Sequence, residues 1–297
     1  MDWGKAKTIL ITLLLALNAL LFGSIAARAY DIGAGDSIYD DLGQILDRRG
    51  VTVLCGFPKD VRDSELLIYE DSAEYVERIA ASLSGGAAVF GGDGVWRDPA
   101  GTVEIERLGR ESFVYRDSAP ERGAGVPFGA AGGGAAGGAA DAAGDAALQS
   151  SVKGFLADRG VDMSPFALDY FERGADGATL QYVQTYKGMP VFDSVVRVRA
   201  DAAGGVEEIE VRHRGIKGVS RNKPMNVIPA YQVVLKNYRE RGQAISSIDI
   251  GFMGQNTSAD NQFVESEEGA VWRIRSDGGA DRFFEALYGD EIFPAAP

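Results

Sequence analysis

The pattern of apolar and polar positions predicts an α+β fold in which helices pack on antiparallel sheets. In three stretches, apolar residues at helical spacing precede several short strand-like runs that end at Gly, Asp or Pro turns. Helices are predicted over 37–49, 73–83, 146–158 and 229–241. Strands are predicted over 51–54 and 66–69, within 87–116, and near 166–173, 178–187, 191–200, 206–214, 245–253, 269–275 and 282–288. We therefore expect three units that each consist of a helix and an antiparallel meander.

Charged residues select a register for the hairpin 191–214. The register that joins opposite charges on one face pairs Arg197 with Glu210 and Arg199 with Glu208, across a loop at 202–205. On the other face the same register sets apolar residues together, Val198 beside Ile209 and Val196 beside Val211. Because a half-buried sheet needs one apolar face, charge and pattern predict the same pairing, with a helix as the cover.

The amino-terminal segment 8–27 contains no charged residue. As a helix it would be about 30 Å long, which is the thickness of the hydrocarbon core of a bilayer. Lys5 and Lys7 precede this segment and several acidic residues follow it, so the positive-inside rule keeps the amino terminus in the cytoplasm. We expect residues 1–29 to form a cytoplasmic tip and a single transmembrane helix in the cell membrane, with all later residues extracytoplasmic.

A cleaved signal peptide is the alternative for this segment. Ala27-Arg28-Ala29 has the small-x-small form of a cleavage site, and cleavage there would leave a mature chain that begins at Tyr30. The apolar run is longer than the roughly 7 to 15 residues of a usual signal-peptide core, and Arg28 is unusual in such a tripeptide. These two features favour an uncleaved anchor.

Small residues follow one side of the predicted membrane helix. They are Thr12, Ala16, Ala19, Gly23 and Ala26, at alternating spacings of four and three, and Asn18 flanks them. Because lipid is as apolar as leucine, membrane helices associate by close packing and side-chain hydrogen bonds, and small residues permit close packing. We take Ala16, Asn18, Ala19 and Gly23 as the candidate contact with a partner helix. Ala and Gly are also common in membrane helices without such a role, so both interpretations stay open.

Composition divides the remainder of the chain into two parts. Gly and Ala make up most of residues 123–147, a composition with too little bulk to pack a core. We predict a first extracytoplasmic α+β domain over 30–120, a Gly/Ala-rich linker over 121–147, and a second α+β region over 148–297 that contains two of the units.

Charge and reactive residues exclude several classes of function. The formal net charge of -13 argues against a nucleic-acid partner, because a phosphate backbone attracts basic proteins. The only cysteine, Cys55, cannot form an intramolecular disulfide, and the only histidine, His213, cannot supply a histidine-rich metal site. We predict that Cys55 is a buried small hydrophobe and that His213 lies in or beside the core with a hydrogen-bond partner. No motif for a cofactor, metal or nucleotide phosphate is present, and no enzyme is expected.

Three stretches resemble the YycI family of two-component-system regulatory proteins. The first is the opening Met1-Asp2-Trp3-Gly4-Lys5-Ala6-Lys7-Thr8-Ile9, which runs into the apolar segment. The second is 184–193, QTYKGMPVFD, and the third comprises WRI at 272–274, RFFEA at 282–286 and GDE at 289–291. The stretch 184–192 is also similar to PepSY-type modules, which are small α+β units of protease propeptides and extracytoplasmic regulators.

The resemblance to the YycI family implies a single-pass regulator without catalytic activity. Its extracytoplasmic part would work with the related YycH protein, and its membrane helix would contact the sensor kinase of the WalK (YycG) system that controls cell-wall metabolism. The resemblance to PepSY-type modules implies an alternative, a secreted or anchored protease-inhibitory module. A hydrolase that uses Cys55 or an Asp/Glu pair is a third hypothesis, in which Cys55 with His213 is the one conceivable nucleophilic pair.

Overall fold

The structure is a computed structural model. Among the residues that it describes, it contains four helices after residue 34 and sixteen strands. Those residues are 7, 11–19, 21, 35–58, 64–85, 89–90, 95–120, 139–174, 176–201, 204–239, 241–254, 267–277 and 280–293. The helices are α1 (Gly35–Arg49), α2 (Ala73–Leu83), α3 (Ala139–Asp158) and α4 (Ala230–Asn237). The first ten strands are β1 (Val51–Val53), β2 (Ser64–Glu70), β3 (Val89–Phe90), β4 (Val95–Arg97), β5 (Val103–Gly109), β6 (Ser112–Asp117), β7 (Phe166–Arg173), β8 (Gly177–Tyr186), β9 (Met189–Asp201) and β10 (Val206–Arg212). The others are β11 (Gly215–Met225), β12 (Gln243–Phe252), β13 (Glu267–Glu268), β14 (Ala270–Ser276), β15 (Arg282–Glu285) and β16 (Glu291–Ile292).

The predicted order of a helix followed by a meander occurs three times among these elements. After α2, β3 to β6 pair antiparallel in sequence order, and after α3, β7 to β10 do the same. After α4, the antiparallel neighbours are β12, β14, β15 and β16. The prediction of an α+β fold with helices and antiparallel meanders is confirmed at this level.

The three meanders belong to one large sheet. The first two join edge to edge, because β6 pairs antiparallel with β10. The third meander meets the second through a parallel contact between Phe252 of β12 and Val191 of β9. The short strand β1 also pairs parallel with β12, and β11, β2 and β13 form a separate small sheet.

Buried side chains form two main cores, which define two lobes. The large lobe comprises α2, α3 and β3 to β10, and its core includes Ile79 of α2, Val152 of α3 and Ile209 of β10. The terminal lobe comprises α1, β1, α4, β12 and β14 to β16, and its core is built around the fully buried Trp272. In α2 the buried residues are Ala73, Val76, Ile79, Ala80 and Leu83, whose helical spacing directs them to one face.

The register predicted for the hairpin 191–214 is confirmed. Glu210 lies opposite Arg197 and Glu208 lies opposite Arg199, with Ile209 and Val211 opposite Val198 and Val196. One ion pair differs from the prediction. The pairing of the two strands is irregular between Val206 and Glu208, and the side chain of Arg199 forms its ion pair with Glu207, at 3.4 Å, instead of Glu208. A bulge adds a residue to one strand and re-aims its neighbours, which the alternating pattern does not reveal.

The predicted domains 30–120 and 148–297 do not coincide with the two lobes. Segments from the first of these ranges contribute to both cores, since α2 belongs to the large lobe and α1 to the terminal lobe. The predicted linker 121–147 contains the start of α3, which begins at Ala139, whereas residues 121–138 lie outside the described residues. Helix α4 ends at Asn237, before the predicted end at 241, because Tyr238 adopts an extended conformation and is fully buried in the core.

Part of the predicted membrane segment 8–27 is described. Residues 11–19 and 21 are helical, and the remaining residues of the segment lie outside the described part of the chain. No helix among the described residues is both long and apolar enough to cross a membrane.

Glycine substitutions test the contact between the lobes. A side chain at Gly251, where β12 meets β9, would place its Cβ 2.3 Å from the carbonyl oxygen of Pro190 and 2.8 Å from the ring of Phe192. We expect Gly251→Ala to lower the free energy of unfolding by about 1–3 kcal/mol, because backbone cannot give way as a flexible side chain can. Urea unfolding measures the change.

Gly154→Ala is the matched control. Gly154 lies within α3, and a Cβ added there would have no atom within 4 Å. That change should stabilise the protein by about 0.5–1 kcal/mol, and equal effects of the two substitutions would contradict the structure.

Candidate functional site

A partly buried ionic cluster, which we call the junction, lies where the two lobes and the small sheet meet. The guanidinium of Arg214 donates from Nε to Oδ2 of Asp193 (2.9 Å) and from Nη1 to Oε2 of Glu111 (2.8 Å). The backbone N–H of Gly254, just after β12, donates to Oδ2 of Asp193 (3.1 Å). Ser72, just before α2, donates to Oε1 of Glu111 from its backbone nitrogen (2.9 Å) and its hydroxyl (3.0 Å). The junction therefore joins five chain segments that are distant in sequence.

Burial controls the electrostatics of the junction. Burial raises the pKa of the Asp193 carboxyl, and the adjacent charge of Arg214 opposes that shift. Burial also raises the pKa of Tyr69 on strand β2, and the nearby charge of Asp193 raises it further. A Cβ at Gly254 would lie 2.9 Å from Oδ2 of Asp193, so the absence of a side chain there lets the backbone approach the carboxylate. Both carboxylates of the junction accept from Arg214 and so clamp the connected segments together, whereas Oδ1 of Asp193 is buried without a hydrogen-bond partner.

A second buried ionic cluster also bridges the lobes. Asp169 lies at an irregularity in β7, between Leu168 and Tyr170 in the pairing with β8. It accepts from Nη1 and Nη2 of Arg273 on β14 at 2.7 and 2.6 Å, and from Nη2 of Arg275 at 3.3 Å. Burial alone would raise the pKa of Asp169, but the two arginines hold it below its usual value. Because the side chains of Asp169 and Arg273 are each only 6% exposed, removal of either would leave a buried charge without its counterion.

His213 lies beside the core of the large lobe, as predicted, but its ring nitrogen Nδ1 lacks the predicted hydrogen-bond partner. The ring packs against Tyr75 at 4.2 Å between centroids, and burial lowers its pKa to about 4. The backbone of His213 does bond, to Glu111 through its N–H and to the Ser72 hydroxyl through its carbonyl. A neutral, packed imidazole is a core residue and not a proton-transfer group at neutral pH.

Cys55 packs against the core of the terminal lobe, whereas His213 packs with the aromatic rings of Tyr75 and Phe166. The thiol is partly buried, and burial raises its pKa. The two residues therefore do not form the nucleophilic pair of the third hypothesis. Within the described part of the chain, no group of three or more His, Cys, Asp or Glu side chains is arranged to hold a metal ion.

The candidate contact with a partner helix is only partly described. Ala16, Asn18 and Ala19 are helical and exposed, and Gly23 lies outside the described residues. The apolar neighbours on the same helical segment are also exposed: Ile11 (50%), Leu13 (65%), Leu14 (59%), Leu15 (64%) and Leu17 (52%).

The residues of the two ionic clusters are not predictable from local sequence patterns. Asp193 closes the stretch 184–193 that carries the resemblance to the YycI family, and this was the one available signal. Glu111, Asp169, Arg214 and Arg273 lie in strands or turns where charged residues are usually solvated, and their partners are remote in sequence.

Comparison with protein families matches residues 37–287 to the family described as YycI protein, a range that includes the junction, the large lobe and all of the terminal lobe except its ends. The chain belongs to the YycI family. Membership of the YycI family indicates a regulator of the YycG (WalK) sensor-kinase system. No curated protein matches the chain.

Two solved structures are similar in part to this YycI family member. The C-terminal domain of YpeB from Bacillus megaterium is 13% identical, with a TM-score of 0.36, over 78% of this chain and 96% of that one. An uncharacterized protein from Eubacterium rectale is 9% identical, with a TM-score of 0.44, over 79% of this chain and 86% of that one.

The pKa of His213 predicts a pH dependence of stability. Because the folded pKa of about 4 lies below the unfolded value of about 6.5, the unfolded state binds more protons between these values. The contribution of His213 is therefore fully present above about pH 6.5 and is lost as the pH falls toward about 4, by up to about 3 kcal/mol. Urea unfolding at pH 7 and pH 5 measures this loss.

The control for this experiment is His213→Phe, which keeps an aromatic ring against Tyr75. Every other titrating group, including Asp193, is common to both proteins, so the difference between their pH dependences isolates the histidine. An equal pH dependence in both proteins would show that His213 does not titrate as the structure implies.

Proposed function

We propose that this chain is a non-catalytic, membrane-anchored regulator of a YycG-type sensor histidine kinase that controls cell-wall metabolism. In this proposal its N-terminal helix spans the cell membrane and contacts the kinase, and its extracytoplasmic lobes bind a YycH-like protein. The observation that carries the proposal is the match of residues 37–287 to the YycI family.

The N-terminal residues support an anchor. Five apolar side chains between Ile11 and Leu17 are exposed by 50–65% in a helical segment. Apolar area costs roughly 25 cal/mol per Å² when it faces water instead of an apolar medium, so such a segment favours lipid over solvent. The two lysines before it place its amino terminus on the cytoplasmic side by the positive-inside rule.

The ionic clusters support a binding protein rather than an enzyme. In both clusters the carboxylates accept from arginine, and in the junction the carboxylates also accept backbone hydrogen bonds. Perturbed carboxylates of this kind hold elements together, because their charge is already matched. An exterior part with a net negative charge suits a role in which shape and charge recognise a protein partner.

The contact between membrane helices can be tested with one enlarged side chain. We expect Ala19→Leu to reduce the kinase recovered with the full-length chain from host membranes by about threefold or more. Packing and one side-chain hydrogen bond of about 0.6 kcal/mol are the forces that hold such helices together, and a larger residue separates them. Quantitative co-purification measures the effect, and circular dichroism checks that the lobes stay folded.

The matched control is Leu21→Phe, which adds the same number of side-chain heavy atoms. At 3.6 residues per turn, position 21 lies almost opposite position 19, away from the side formed by Ala16 and Ala19. Kinase recovery should stay unchanged in this control. Equal loss in both variants, or no loss with Ala19→Leu, would contradict a contact through the small residues.

A further inference from the structure

The segment that follows the proposed membrane helix packs on the terminal lobe. Strand β1 pairs parallel with β12, with Thr52 opposite Ala244, and the N–H of Leu54 donates to the carbonyl of Ile245 at 2.8 Å. At the last residue of α1, Nη1 of Arg49 donates to the carbonyl of Leu235 in α4 at 3.0 Å. The N–H of Gly242 donates to the carbonyl of Gly50 at 2.8 Å. Residues 49–54 are thus hydrogen-bonded to α4, β12 and the turn between them.

The buried side chains of α1 and β1 also place this segment in the terminal lobe. Leu42 and Leu46 of α1 and Val51 of β1 are 3%, 1% and 0% exposed, and they belong to the core formed by α4, β12, β14 and β15. No described residue between 73 and 212 belongs to that core. A parallel strand and three buried apolar side chains therefore integrate the N-terminal segment into the C-terminal part of the chain.

Chain length brings this lobe close to the membrane. Only residues 28–34 separate the proposed membrane helix from the start of α1 at Gly35. A fully extended chain of this length reaches at most about 30 Å. Because α1 is part of the terminal lobe, the terminal lobe and not the large lobe is held at the membrane surface.

We propose that α1 and β1 fasten the membrane helix to the terminal lobe, so that this lobe sets the position of the helix. The anchor itself rests on the function proposed above. A partner that binds the large lobe then acts on the membrane helix only through the contacts between lobes, chiefly the junction and the pair of Asp169 with Arg273. The C-terminal residues, which are farthest from the membrane helix in sequence, become its mechanical support.

Hydrogen exchange of the full-length chain in detergent tests this arrangement. Ile274 on β14 and Ile209 on β10 are strand residues with 0% exposure, one in each lobe, and neither pairs with β1. In Ile274→Val we expect the amides of 51–54 to exchange about two- to tenfold faster, in step with those of β12, because loss of a buried methylene weakens the whole cooperative unit. In the matched control Ile209→Val the exchange of 51–54 should change less than twofold, while that of β10 rises.

A stronger pair of substitutions keeps the test decisive if these effects are small. Val233→Ala in α4 and Val152→Ala in α3 remove the same atoms from helix residues that are both 0% exposed. The proposal is overturned if the amides of 51–54 exchange faster in the large-lobe variants than in the terminal-lobe variants. It is also overturned if their exchange rates rise equally in both sets of variants, or in neither set. Because exchange requires no kinase, failure of this proposal is distinguishable from failure of kinase capture by the membrane helix.

Discussion

The guanidinium of Arg214 lies between two carboxylates that come from different parts of the chain, and the arrangement of the lobes depends on this interaction. One carboxylate, Asp193, belongs to β9 and also accepts from the segment after β12, and the other, Glu111, also holds the residue before α2. These three side chains are 11–18% exposed, so separation of any connected segment would leave a largely desolvated charge without its partner. The more deeply buried pair of Asp169 with Arg273 adds a stronger constraint between β7 and β14, because breaking such a pair costs about 3–5 kcal/mol.

Local features of the fold were predictable from sequence, and long-range features were not. The buried face of α2 follows from helical spacing, and the register of β9 with β10 follows from matched charges on adjacent strands. By contrast, Val51 to Val53 is apolar enough to pair with any open strand edge, and nothing local indicates that its partner is β12. The lobes consequently differ from the predicted domains. The ionic clusters are long-range features of the same kind, because the arginine partners of Asp193 and Asp169 are about 20 and about 100 residues away in sequence.

Family membership and structure together define what a regulatory mechanism must include. A protein of the YycI family can change the state of a kinase only through a difference in its affinity for the two states. With the lobes joined by ion pairs, such a difference is more readily produced by movement of both lobes together than by rearrangement within them. The integration of α1 and β1 into the terminal lobe gives that movement a direct connection to the N-terminal helix.

A membrane-anchored regulator requires above all that the apolar N-terminal segment remains attached to the mature protein. The amino-terminal sequence of the chain purified from host membranes tests this requirement most directly. A mature chain that begins at Met1 or Asp2 agrees with the account. A chain that begins at Tyr30, recovered outside the membrane fraction, would contradict it.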